Sequence, residues 1–175
     1  MRQPPNIESP LAQQASGQQA SAVNRVEQTR ADAVFTNNYG RATVVFVTDQ
    51  FHCERLISAG RRIADATKTT LLVINIERSS IDCNSAAIEH LYQVSKENDA
   101  EMTVYYEADD VVGVMSRCLR ENNACHVVTG MPQDEDSILK KIWRLHPAVN
   151  FYTVTYDNQI VSVPIVEKLG RRAKI

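Results

Sequence analysis

Between Arg41 and Asp157 the chain switches repeatedly between two hydrophobic periods. Five short apolar runs rich in β-branched and aromatic residues read as strands: Ala42–Val47, Thr70–Ile76, Met102–Tyr106, His126–Thr129 and Phe151–Tyr156. Each run after the first follows a segment whose apolar residues recur at three- and four-residue steps. The alternation predicts an α/β fold with an open, five-stranded parallel sheet and helices on both faces. After a tight turn at Tyr156-Asp157-Asn158-Gln159, Ile160–Ile165 alternates as a further strand. It is expected either as an antiparallel edge strand or as an arm that pairs with another subunit.

The first helix carries Cys53, Leu56, Ile57, Gly60, Ile63, Ala64 and Thr67 on one face. Glu54, Arg55, Ser58, Arg61, Arg62 and Asp65 fill the other, which is the pattern of a helix laid on a sheet. Gly60 lowers helix propensity by about 1 kcal/mol relative to Ala, and in exchange lets the helix approach the strands closely. The second helix (about 85–98) is expected to bury Ile88, Leu91 and Val94 or Ser95. The third (about 110–122) opens on Asp109-Asp110 as cap and dipole partner and buries Val111, Met115, Cys118 and Leu119. The fourth (about 137–145) is capped by Ser137, buries Ile138, Ile142 and Leu145, and stops at Pro147.

Residues 1–39 differ in kind. They are rich in Gln, Ala, Ser, Asn and Pro and poor in large apolar side chains, so they are expected to form a flexible tail, with a weak helix over Ala20–Ala33. Three segments follow: the tail, an α/β domain over 40–157, and a C-terminal strand with a basic end over 158–175. A net charge of −2 over 175 residues gives no argument for nucleic acid, membrane or strongly acidic partners. There is no bilayer-length apolar run and no secretory leader pattern, so a cytoplasmic location is expected. The four cysteines, Cys53, Cys83, Cys118 and Cys125, contain no C-x-x-C pair and are expected as free thiols.

In open α/β sheets ligands bind beyond the carboxyl ends of the strands, where the strand order reverses. That reversal is expected between the first and fourth strands, so the candidate ligand-binding residues are Asp49 and Gln50 after the first and Gly130 and Met131 after the fourth. Asp49 has two readings, as a cap on the following helix or as a ligand contact. Gly130 would allow close backbone approach to a ligand.

The runs Val44-Val45-Phe46-Val47-Thr48-Asp49, Arg55–Ala64 and Leu71–Ile76, with Asp110–Asn122 and His126-Val127-Val128-Thr129-Gly130, resemble the universal stress protein family. The nearer likeness is to the universal-stress-like domain of bacterial osmosensing potassium sensor kinases, and it covers residues 41 to about 157. The resemblance implies that family's version of the adenine nucleotide alpha hydrolase-like fold, a regulatory stress-response role, and a homodimer formed along the fifth-strand edge. Its ATP-binding members carry Asp after the first strand. After the fourth they carry Gly, two residues, Gly, nine residues, then Gly followed by Ser or Thr. Asp49 and Gly130 match the first two of these positions. The second glycine falls on Gln133, the third on Trp143 and the hydroxyl residue on Arg144. Bulky side chains there obstruct the backbone N–H cradle a phosphate needs, leaving Lys140, Lys141 and Arg144 to supply charge by another geometry.

Other chemistry finds little support. His52-Cys53 and Cys125-His126 carry zinc-ligand types, but belong at opposite edges of a parallel sheet, so no metal is expected. No nucleophile has a base positioned beside it, and no G-x-S-x-G, P-loop or G-x-G-x-x-G occurs. The expectation is a non-enzymatic, universal-stress-like module without a resident cofactor, acting through binding and self-association, with protein partners but no DNA. The alternative is a nucleotide sensor for ATP, AMP or cyclic di-AMP at the strand 1/strand 4 crevice.

Overall fold

The computed structural model describes residues 40–78, 83–106 and 109–164. The tail at 1–39, with its expected helix, and the basic end from 165 onward lie outside these residues. The described chain runs β1 (Ala42–Val47), a 3-10 turn (Phe51–Cys53), α1 (Glu54–Thr67), β2 (Thr70–Ile76), α2 (Ser85–Glu97), β3 (Glu101–Tyr105), α3 (Val111–Glu121), β4 (Ala124–Gly130), α4 (Ile138–Leu145), β5 (Asn150–Val154) and β6 (Ile160–Ser162). The strand order is β3-β2-β1-β4-β5-β6, with the first five parallel and β6 antiparallel to β5. The predicted sheet, its antiparallel edge strand and the reversal between β1 and β4 are all present.

β1 is central and buried along its whole length, which is why its sequence is a continuous apolar run and not an alternating one. Val44 and Phe46 face α3 and α4, meeting Met115, Leu119, Ile142, Trp143 and Phe151. Val45 and Val47 face the other way, onto Leu56, Ile57 and Ile63 of α1 and Leu91 of α2. Gly60 sits where the sequence suggests, since a Cβ there would lie 2.3 Å from Val45 Cγ2 and 3.0 Å from Leu71 Cδ1.

Capping follows sequence expectation at α3 and α4. Asp110 Oδ1 accepts from the Gly113 N–H at 2.9 Å, and Ser137 Oγ accepts from the Leu139 N–H at 3.3 Å. Asn84 does the same for α2, accepting from the Ala87 N–H at 3.2 Å. The 156–159 turn places Asn158 at φ 64°, a conformation Asn tolerates better than most residues.

Three buried faces differ from expectation, and in α3 Val111 is only partly covered while Ser116 is buried. In α2 the buried positions are Ala87, Leu91 and Ser95, with Ile88 and Val94 only partly covered. Ser95 is accommodated because its hydroxyl donates to Leu91 O at 2.7 Å. In α4 Ile142 and Trp143 are buried, while Ile138 is only partly covered and Leu145 is 59% exposed. A stripe centred between Ile142 and Trp143 turns position 145 outward at 100° per residue, and the larger indole takes the core.

β6 settles the two readings of the last strand in favour of pairing within the chain: Tyr152 faces Ser162 and Val154 faces Ile160. The outer edge of β5 is therefore covered. Among the described residues the sheet edges are β3 and β6, so an assembly on the fifth-strand side would run through β6. Among these residues no helix is long and apolar enough to cross a membrane.

Two histidines make stability depend on pH. His126 on β4 is held below its ordinary value of 6.5 by desolvation and then by Arg41, and its buried Nδ1 has no hydrogen-bond partner. His146, at the end of α4, is lowered by desolvation and then by Arg120, and its Nε2 lies 3.0 Å from Ser116 Oγ. Each folded-state pKa lies below the unfolded one, so the unfolded chain binds more protons between the two values. Stability is therefore full above about pH 6.5 and falls as the pH drops toward the folded values. Urea midpoints measured from pH 8 to 5 should decline across that window, and more gently in His126→Gln. A midpoint that rises on acidification would contradict this assignment.

Candidate functional site

β1 and β4 diverge at their carboxyl ends because β1 feeds α1 on one face and β4 feeds α4 on the other. The chain leaves β1 through Thr48-Asp49-Gln50, where the Gln50 N–H bonds Thr48 O at 2.8 Å and the Cys53 N–H bonds Gln50 O at 2.9 Å. These bonds fold the loop into a single 3-10 turn and keep it short. Between this loop and the one after Gly130 lies a cleft of about 460 Å³. Asp49, Gln50, Gly130 and Met131, the four residues singled out from the sequence, all line it.

Its walls are mixed. Phe46, Ile76, Met115 and Leu139 supply apolar surface; Thr48, Arg55, Glu77, Thr129, Gln133 and Tyr156 bring polar groups. A half-apolar concave site with a few convergent polar groups is the usual setting for a small organic ligand. Gly130 is not there to relieve strain: its φ is not positive and a Cβ would meet nothing within 4 Å. An added methyl at that position meets no neighbour.

Asp49 does not cap the following helix. The 3-10 turn and α1 both begin without a side-chain cap. Instead Asp49 Oδ2 accepts the Asn84 N–H at 2.8 Å, holding the start of α2 against the β1 loop. The sequence reading missed this because the donor lies 35 positions downstream.

Arg55 was also misread as an outer-face residue. Its Nε donates to Thr155 O at 3.2 Å, its Nη1 donates to His52 O at 2.9 Å, and its guanidinium lies 5.0 Å from the Tyr156 ring. It thereby braces the cleft wall against the β5–β6 turn. Lys140, Lys141 and Arg144 do not line the cleft, and Lys140 pairs with Glu135 at 2.8 Å. Gln133 does line it. Trp143 is packed into the core away from it.

His52-Cys53 and Cys125-His126 lie at opposite ends of the sheet, as the topology requires: Cys53 follows β1, while His126 pairs with Thr43 at its start. A different group was not visible in the sequence. One oxygen each of Asp49 and Glu77 and the sulfur of Cys83 lie within 4.8 Å of one another. Cys53, Cys118 and Cys125 are buried, and Cys83 is exposed.

No family model and no curated protein matches the chain. Among solved structures it is similar to a protein of the universal stress protein family from Burkholderia pseudomallei, at 14% identity and a TM-score of 0.46, covering 62% of this chain and 91% of that one.

Proposed function

We propose that this chain is a universal-stress-like regulatory module that works by binding a small ligand in the β1/β4 cleft, without catalysing a reaction. The observation that carries this reading is the convergence of Asp49, Gln50, Gly130 and Met131 on one partly apolar cleft at the strand-order reversal. Asp49 and Gln50 offer hydrogen-bond partners to a base or ribose, and the apolar wall suits the flat face of a purine. Phosphate recognition in the family's manner is disfavoured, because Gln133 and Trp143 replace backbone-exposing glycines. The ligand class is therefore a nucleotide gripped mainly by its nucleoside part, with AMP ahead of ATP. Cyclic di-AMP belongs in the comparison because of the sensor-kinase resemblance.

The test is calorimetric titration with ATP, AMP and cyclic di-AMP in the presence of magnesium. One-site binding in the micromolar range by at least one of them supports the reading. Silence from all three removes the nucleotide and leaves a module that acts through protein contacts.

A second reading, self-association, is favoured by one feature. The outer backbone edge of β6 is open among the described residues, and Val161 on that strand is exposed.

A further inference from the structure

Glu77 is an unusual residue to find buried. It directly follows β2, and its N–H still bonds Tyr105 O at 2.8 Å, so the neighbouring strand fixes its position. The residue is 7% exposed, yet among the described residues no hydrogen bond or ion pair reaches its carboxylate. Its carboxylate opens on the cleft, whose wall it helps to form. What it does face is a second carboxylate, Asp49, and the thiol of Cys83, with one ligand-type atom from each inside a 4.8 Å group. Three anion-forming groups thus converge with no cation among them.

We propose that Asp49, Glu77 and Cys83 bind a single divalent transition-metal ion of the zinc type. The donor set decides the class. A thiolate is a poor ligand for magnesium or calcium, which take oxygen donors, whereas zinc accepts sulfur and carboxylate oxygen together. Three protein donors leave a fourth tetrahedral position for water or for a ligand in the adjoining cleft, which Asp49 and Glu77 also line. The Asn84 N–H on Asp49 Oδ2 supplies the outer hydrogen bond that commonly orients a ligating carboxylate. Cys83 and Asn84 stand at the start of α2, so the ion would tie that helix to the β1 and β2 ends.

A cysteine thiol must lose its proton to ligate zinc. Binding therefore displaces a proton, and affinity should tighten by about tenfold per pH unit between about pH 6 and 8. The inference does not depend on the nucleotide reading. Its probe is zinc alone, so either can fail without the other.

The experiment uses the reduced, metal-free full chain and a thiol-specific chromogenic reagent. Because Cys83 is the exposed cysteine, one thiol should react fast and three slowly. Stoichiometric zinc should slow the fast phase by at least about tenfold, with magnesium having no effect. The near-isosteric Glu77→Gln should lose most of that protection, and Asp49→Asn serves as the second variant should Glu77→Gln fold poorly by circular dichroism. A fast phase indifferent to excess zinc would overturn the site, as would full protection in a folded Glu77→Gln or Asp49→Asn protein.

Discussion

Trp143→Ala will destabilise the fold by about 3–5 kcal/mol, the range for removing a large aromatic side chain from a packed core. Trp143 is 2% exposed and sits beside Phe151, with ring centroids 6.4 Å apart and planes at 51°. α4 is only eight residues long and commits two fully buried side chains to the sheet, Ile142 and Trp143. Without the indole it keeps Ile142 and the partly buried Ile138 and Leu139 to hold it down. The indole N–H finds no acceptor, so part of the residue's contribution is already offset. Trp143→Phe, which removes that orphaned donor along with one ring, should cost much less than Trp143→Ala. Urea unfolding followed by circular dichroism measures both. A loss below about 1 kcal/mol for Trp143→Ala would place the indole outside the core.

Gly60→Ala gives the second large effect, and its sign is the informative part. Helix propensity alone favours alanine by about 1 kcal/mol. Against this, the new methyl would lie 2.3 Å from Val45 Cγ2. Val45 is β-branched, wholly buried on the central strand, and held from both sides of the sheet by its neighbours. It has no flexible end to swing away, so α1 must lift or the strand must shift, at a cost of about 1–3 kcal/mol. Overpacking should win, leaving Gly60→Ala less stable than the parent by denaturant midpoint. A stabilised variant would mean that α1 does not lie as close to β1 as described.

These two positions also show what a single sequence can and cannot reveal. Gly60 was readable because a helix-weakening residue in the middle of an apolar stripe needs a local reason, and close approach is that reason. The strands and helices, the Asp110 and Ser137 caps and the location of the cleft were readable because they depend on periodicity and on connectivity rules. Trp143 and Leu145 were exchanged because an eight-residue helix has too few turns to fix its own stripe, so side-chain volume in the assembled core decides. Asp49, Arg55, Glu77 and Cys83 were misread or missed for a different reason. Their partners are distant in sequence: Asn84 for Asp49, and Thr155, 100 positions away, for Arg55. No local pattern encodes such pairs; they arise only when the β2–α2 and β5–β6 connections are brought beside the β1 loop.

Gly130 gives the cleanest test of the β1/β4 cleft as a ligand site. Gly130 lines the cleft and a Cβ there meets nothing within 4 Å, whereas Asp49→Ala would also release the Asn84 N–H. The decisive measurement is therefore the nucleotide titration carried out in parallel on the parent and Gly130→Leu proteins. The parent should bind, and Gly130→Leu, with an unchanged unfolding midpoint, should bind at least about tenfold more weakly, a loss of about 1.4 kcal/mol. Equal affinity in the two proteins would contradict a ligand site in this cleft and move the site elsewhere on the molecule.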